Sequence, residues 1–360
     1  MSANHRSGRD HTGIDILDDH EKSKKSKKCV FRVPNVLWRQ NPEAYTPDVV
    51  SIGPFHHYPE KRGKEEGKGG KEGNGEKYFQ LMERVKTSYL NEILTGMKNI
   101  SLEELTTEVI KLADKKNEGE FEQRARDFYA EPLDHISSEE FIKMMIVDGC
   151  FLIQLFRKCD DPKLRAFDDP VFNMDCMFHF LCHDILLLEN QLPWFVIHSL
   201  YSLIIEIYPN QASLSILIMK VLSVLPSLKN CCSTYKTHNC DADVLHILDL
   251  VRASMVEPLI IKERSCRAVG REAEDHQMHS STHQGNSDFN PFRMRAATTL
   301  SEAEIKFGSD ASGSILDIHF NKGCVWNGTL VIPQLDFGMS SETLFRNLIA
   351  IEQCYHGYDL

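Results

Sequence analysis

Apolar residues recurring at steps of three and four dominate the middle of the chain. Phe141, Met145, Leu152 and Leu155 share one helical face, and Asp148 lies on the same face. Ile142, Ile146, Gly149 and Ile153 make an adjacent face, which predicts a helix that is apolar nearly all round and enclosed by its neighbours. Ser137 with Glu140 forms the reciprocal capping pattern that opens such a helix. Gly149 costs a helix about 1 kcal/mol relative to Ala, so its presence points to the close approach of a second backbone. A second apolar helix is predicted from about Met174, carrying Phe178, Leu181, Cys182, Ile185, Leu186 and Leu188, with Pro193 stopping or kinking it. A third follows as WFVIHSLYSLIIEIY.

The flanks read differently. Residues 1–28 are polar, end in KSKKSKK, and predict a disordered basic tail. The segment VFRVPNVLWRQNPEAYTPDVVSIGPFHHYP holds five prolines among apolar residues. Each proline fixes its own φ and extends its predecessor, so the segment predicts irregular backbone packed on the core. Residues 58–77 have almost nothing to bury and read as a flexible insertion. Amphipathic helix is predicted over 78–116 and over 108–129 with a break near Gly119, then over 200–228 and 243–261. Residues 264–297 read as a second flexible insertion. SILDIHF (314–320) alternates as a strand does, and TLVIPQL (329–335) follows the tight-turn pair Asn327-Gly328. A small antiparallel hairpin is the expectation, followed by a last helix capped by Ser340 or Ser341 and running to about Cys354. The predicted fold is mainly α: an irregular Pro-rich opening, a multi-helix core and one hairpin, as a single domain over 29–354 with a tail at 355–360.

A formal net charge of −11 at pH 7 argues against a phosphate-binding face, so no nucleic-acid partner is expected. The first residues lack the basic start and apolar core of a secretory signal. Eleven scattered cysteines, an odd number, fit reduced thiols better than a disulfide framework. Neither apolar segment reaches the uninterrupted run of about 20 residues that a membrane span requires.

The candidate chemistry lies in buried polar residues. Asp148 inside an apolar helix must pair, accept hydrogen bonds or take a proton. Arg126 or Arg157 are candidate partners. Glu189, Asn190 and Gln191 precede Pro193, where they can cap a helix end or line a polar pocket. If the two apolar helices pack antiparallel, Asp148 and Glu189 can approach and share a proton, as acid–base catalysis uses. Cys176, His179 and His183 share a helix face, which suits a soft metal, but their apolar surroundings favour packing and no metal is assigned. His276, His279 and His283 fall in a polar loop and carry less still. There is no Gly-rich phosphate loop, nucleophile elbow or Cys-x-x-Cys pair, and no cofactor is expected.

Phe31-Arg32-Val33-Pro34, Ala44-Tyr45-Thr46-Pro47 and Val50-Ser51-Ile52-Gly53-Pro54-Phe55-His56-His57 resemble the opening of a plant-specific family, domain of unknown function 247. Ala125-Arg126 with Tyr129 and Glu131 is similar to its second block, although Phe128 stands where the family often has Cys. The stretch from Met144 to Phe151 resembles the third block, and Asp169-Pro170-Val171-Phe172 a linking piece. Asp184 through Pro193 resembles the fourth, and Leu344 through Ala350 with Glu352-Gln353-Cys354 the fifth. The resemblance implies a membrane-associated plant protein without known catalysis, some grass members being implicated in pollen self-incompatibility. It therefore implies a recognition or signalling role with a protein or small-peptide partner. The alternative is a hydrolase-type enzyme using Asp148 and Glu189. The candidate polar network comprises Arg126, Asp148, Arg157, Asp184, Glu189, Asn190 and Gln191. The family usually continues beyond the last block into a hydrophobic anchor; the expectation for this chain, ending YHGYDL, is that it lacks one and is cytoplasmic if truncated.

Overall fold

Ser137 opens the central helix: its hydroxyl accepts from the N–H of Glu140 at 3.3 Å, and 23 helical residues follow, Ser138–Asp160. In chain order the helices of the computed structural model are α1 (Asn35–Trp38), α2 (Pro54–His57), α3 (Asn74–Gly96), α4 (Leu102–Asp114), α5 (Phe121–Asp127), α6 (Ser138–Asp160), α7 (Met177–Ile185), α8 (Trp194–Ile205) and α9 (Leu214–Leu222). Then come α10 (247–256), α11 (Ala297–Glu302) and α12 (Ser341–Cys354). The structure describes residues 30–57, 74–114, 120–174, 176–208, 212–229, 244–256, 296–310, 315–323, 328–335, 338 and 340–354. The 1–28 tail, most of both expected insertions and the 355–360 tail lie outside them. The fold is mainly helical, with one small sheet.

Helix α6 is the axis. It packs against α3, α8 and α9, and Phe141, Met145, Ile146, Phe151, Ile153 and Leu155 on it are all fully buried. Buried apolar residues from Val30 to Ile351 join in one cluster. Gly149 serves a close approach, but by a side chain and not a second backbone. A Cβ there would lie 2.4 Å from Cδ1 of Leu200 on α8.

Several boundaries differ from the sequence reading. The helix predicted over 78–116 begins earlier, at Asn74, and is broken in two. Lys98 and Asn99 take positive φ values of 64° and 61°, and Ser101 with Glu104 starts α4 as a capping box, with bonds of 2.8 and 3.1 Å. Helix α7 ends at Ile185, well short of Pro193, because the polar side chains ahead of that proline take its last carbonyls. Pro193 instead forms the N-cap of α8.

The expected antiparallel hairpin exists as β2 (His319–Lys322) on β3 (Gly328–Pro333). Gly328 lies in β3 opposite Lys322, so it does not occupy a two-residue turn. A strand missed in the sequence, β1 (Lys306–Asp310), pairs parallel to β3, giving the order β1-β3-β2. Its KFGSD lacks the β-branched pattern that marks strands, and it is largely exposed. No helix among the described residues is long and apolar enough to cross a membrane.

Gly149→Val should destabilise the chain by about 2–3 kcal/mol through overpacking. Adding Leu200→Ala should restore part of that loss. Urea midpoints of the single and double variants check this.

Candidate functional site

Residues 32–53 join the core with little regular structure of their own. Val33, Tyr45, Val49, Val50 and Ile52 are buried, so the N–H and C=O groups beside them need partners other than water. Side chains from distant helices supply them. On α7, Asp184 accepts from the N–H of Asp48 at Oδ1 and from those of Val49 and Val50 at Oδ2, each at 2.8 Å. In the loop after α7, Asn190 accepts from the N–H of Ile52 at 2.6 Å and donates to the carbonyl of Val50 at 3.1 Å. Glu189 accepts from the N–H of Val33 at 2.7 Å and from the guanidinium of Arg32 at 2.9 Å. Asp148 on α6 accepts from the N–H of Gly53 at 2.9 Å. From α12, Asn347 donates to the carbonyl of Ala44 at 2.9 Å and accepts from the N–H of Leu188 at 2.8 Å.

The loop 186–193 is held the same way. Asn190 donates to the carbonyl of Asp184 at 2.9 Å, and Gln191 donates to those of Ile185 and Leu187, both at 2.7 Å. These bonds satisfy the orphan carbonyls at the end of α7. The side chain of Gln191 also accepts from the N–H of Leu248 at 3.1 Å, which ties α10 to the loop. Gly53 takes φ +70°, and a Cβ there would meet the carbonyl oxygen of Gln191 at 2.9 Å, so only glycine fits this junction.

The charges are neutralised by cations that the sequence reading did not name. Lys86 on α3 is fully buried, 2.8 Å from Asp148, and it also donates to the carbonyl of Ser51 at 2.6 Å. Burial lowers the affinity of Lys86 for its proton, but Asp148 and Glu83 outweigh it and raise the pKa above 10.5. Burial raises the pKa of Asp148, against the opposing pull of Lys86 and the N–H of Gly53. A second buried cation, Lys158 on α6, lies 2.9 Å from Asp169 and 2.8 Å from Glu92. Asp169 in turn accepts from the hydroxyl of Tyr89 and the N–H of Val171.

Arg126 and Arg157 are not the partners of Asp148 or Glu189. Arg126 donates to the carbonyls of Leu133 and Ile136 at 2.8 and 2.9 Å and covers the ring of Phe141. Arg157 donates to Gln154 at 2.8 Å and covers the ring of Tyr208. Both point away because α3 and the opening segment bring Lys86 and Arg32 to the carboxylates instead. Asp148 and Glu189 accordingly form two separate anchors, each with its own cation and its own backbone N–H.

Asp48, His183 and Asp184 bring their ligand atoms within 4.8 Å of one another. Asp184, however, already accepts four bonds: three backbone N–H groups and, at 2.9 Å, Nδ1 of His183. A carboxylate has about four acceptor positions, so none remains for a metal. The Cys176–His179–His183 set does not assemble either. His183 turns to Asp184, and Cys176 and His179 are exposed and not packed in the core. His276, His279 and His283 lie outside the described residues. Burial pushes the thiols of Cys150 and Cys182 up to about 12, which leaves them poor nucleophiles at neutral pH. Two cavities, of about 260 and 330 Å³, open elsewhere, and none of the candidate network residues lines either.

The polar anchors named above fall between Arg32 and Asn347, and a plant family spans the same ground. The family designated domain of unknown function 247, plant protein of unknown function, matches residues 30–360. The chain belongs to it. The UPF0481 protein At3g47200 of Arabidopsis thaliana is 28% identical over 349 residues, covering 93% of this chain and 63% of that protein. Putative UPF0481 protein At3g02645 of the same plant is 24% identical over 168 residues, covering 47% of this chain and 26% of that protein. The chain thus spans roughly a quarter to somewhat under two thirds of the length of these curated relatives. No solved structure matches it. In this member of the domain of unknown function 247 family, the third, fourth and fifth blocks together grip the first.

Lys86, Lys158 and Asn347 were missed as site residues, yet a signal was present. Met82, Val85, Lys86, Tyr89, Leu90 and Ile93 recur at helical spacing, which places a lysine inside a core stripe. A charge at such a position requires a partner of opposite sign in the core.

Removing the lysine alone, as Lys86→Met, should cost about 3–5 kcal/mol because Asp148 is left buried without its cation. The double variant Lys86→Met/Asp148→Asn should recover much of that loss in urea denaturation. His183 gives a pH test. Burial lowers its pKa, but the bond and charge of Asp184, the charge of Asp48 and a backbone bond at Glu43 together raise it above 6.5. Its contribution is therefore full below about pH 6.5 and is lost as pH rises through the raised folded value. Wild-type stability should fall relative to His183→Gln between about pH 6 and pH 8, as read from denaturation midpoints.

Proposed function

We propose that this chain is a non-enzymatic recognition or signalling protein that binds a protein or peptide partner, in plant cell recognition of the self-incompatibility kind. One observation carries the reading. The residues chemically most suited to catalysis, Asp148, Asp184 and Glu189, are committed to backbone N–H groups and cations. A general acid or base needs an oxygen within reach of a substrate proton, directly or through one water. These oxygens face the opening segment instead, and neither cavity reaches them.

The hydrolase alternative requires Asp148 and Glu189 to act together on one substrate. Their separate cations and separate backbone partners weigh against it. Membrane association, which the family resemblance implies, would come through a partner or a segment other than the described helices.

The test pairs binding with turnover. The purified chain should form a stoichiometric complex with a protein purified from the expressing plant tissue, reproduced from isolated components by calorimetry. It should show no saturable turnover across ester, peptide and glycoside substrates. Turnover that Asp148→Asn or Glu189→Gln abolishes, with the circular dichroism spectrum unchanged, would overturn the reading.

A further inference from the structure

The cavity of about 330 Å³ opens where the C-terminal end of α6, the start of α7 and the C-terminal end of α9 meet. Its volume falls within the roughly 300–1,000 Å³ of small-molecule sites. Phe172, Phe178, Val221 and Val224 give it apolar walls, and Val224 is 54% exposed. Cys159 adds a thiol that burial pushes up to about 12, so it is neutral at physiological pH. The other described lining residues are charged: Asp160, Arg165 and Lys220.

Arg165 is the decisive residue. It follows the short turn Pro162–Leu164 after α6 and folds back over the end of that helix. Its Nε donates to the carbonyl of Lys158 at 2.7 Å, and its Nη2 to that of Cys159 at 3.3 Å. Its guanidinium also lies over the ring of Phe172, 4.1 Å from the centroid. Satisfying two orphan carbonyls of the helix end accounts for one edge of the planar fork. The other edge, made by Nη1 and the second N–H of Nη2, meets no acceptor among the described residues, and Arg165 forms no ion pair with any of them. A guanidinium keeps its charge at any physiological pH, and such an edge matches a carboxylate with two parallel hydrogen bonds. Because two carbonyls and an aromatic face already hold it, docking costs it little further freedom.

The remaining charges cancel. Lys220 pairs with Asp160, so the surplus on the described lining is the single positive charge of Arg165. The carbonyl end of α6 carries a partial negative charge that opposes an anion, but Arg165 itself covers two of those carbonyls. Inorganic phosphate would meet the cation and leave the apolar walls unused. An uncharged apolar molecule would fill the walls and leave the guanidinium edge unmet.

We infer that this cavity binds a small monocarboxylic acid with an aromatic or branched apolar body, its carboxylate on the open edge of Arg165 and its body against the phenylalanines and valines. A free organic acid and the C-terminal residue of a chain both present this chemistry. The chain-end form rests on the recognition reading; the free-acid form stands without it.

Calorimetric titration of the full chain with 3-phenylpropanoate, 3-phenylpropanamide, acetate and inorganic phosphate tests this. The phenylpropanoate should bind saturably at one site, and the other three at least tenfold more weakly. Arg165→Gln should weaken the acid about tenfold or more, the loss of hydrogen bonds between charged groups. Since Arg165 also closes α6, two substitutions at the exposed Val224 give an independent reading in a chain whose circular dichroism melt is unchanged. Val224→Glu should weaken the acid several-fold, while Val224→Lys should preserve or tighten it. N-acetylphenylalanine binding more tightly than 3-phenylpropanoate supports the chain-end source, and the reverse order supports the free acid. Equal binding of acid and amide, acetate or phosphate binding as tightly as the phenylpropanoate, or equal effects of Val224→Glu and Val224→Lys would overturn the inference. If no acid binds while a purified protein partner still forms its complex, the cavity inference falls and the recognition reading stands.

Discussion

A stretch of backbone that enters the core with little helix or strand must find its hydrogen bonds somewhere, and this fold is arranged around that need. Residues 32–53 bring Val33, Tyr45, Val49, Val50 and Ile52 into the core, while their prolines confine regular helix to the single turn of α1 and a short turn at Pro42–Tyr45. Each amide left unpaired would cost about 1–3 kcal/mol. Asp184, Glu189, Asn190, Asp148, Lys86 and Asn347 remove that cost by reaching in from α7, the loop after it, α6, α3 and α12. Carboxylates suit the task because one of them can accept from several N–H groups, as Asp184 does from three in succession.

Using charge in this way creates a second requirement. A carboxylate in a dry interior is unstable without a cation, and a lone cation there is no better. The structure meets both with one interlocked arrangement: Lys86 neutralises Asp148 while donating to Ser51, and Arg32 neutralises Glu189 while donating to Phe55. The elements so joined are far apart in sequence, with separations of 134 to 157 residues for Asp184 and Glu189 and 303 for Asn347. Loss of one member therefore loosens several elements together, which makes these residues poor places to look for a tunable activity.

How far the sequence revealed this depends on the kind of signal. The period of apolar residues in α6 exposed the central helix, and Ser137 its start, because both are local. Prolines and apolar content together showed the opening segment to be irregular and buried. The pairing of Asp148 with Lys86 was not legible, since it depends on where α3 crosses α6, and nothing local encodes a crossing. The lysine inside the α3 stripe nevertheless announced that some acid must meet it. Asp184 was seen as a motif position but not as a triple acceptor, because the geometry of Asp48 through Val50 is set by tertiary contacts. Strand β1 escaped for another reason: it is exposed, and its alternation is too weak to stand out from loop.

The same reasoning bears on where function resides. Polar residues in family blocks invite a catalytic interpretation, and buried carboxylates strengthen it, since active sites and structural ion networks perturb acids in similar ways. The two cases separate on one criterion, whether an acceptor remains uncommitted and open to a ligand. Asp184 fails it on every lone pair, and Asp148 and Glu189 have their oxygens turned to backbone and cations.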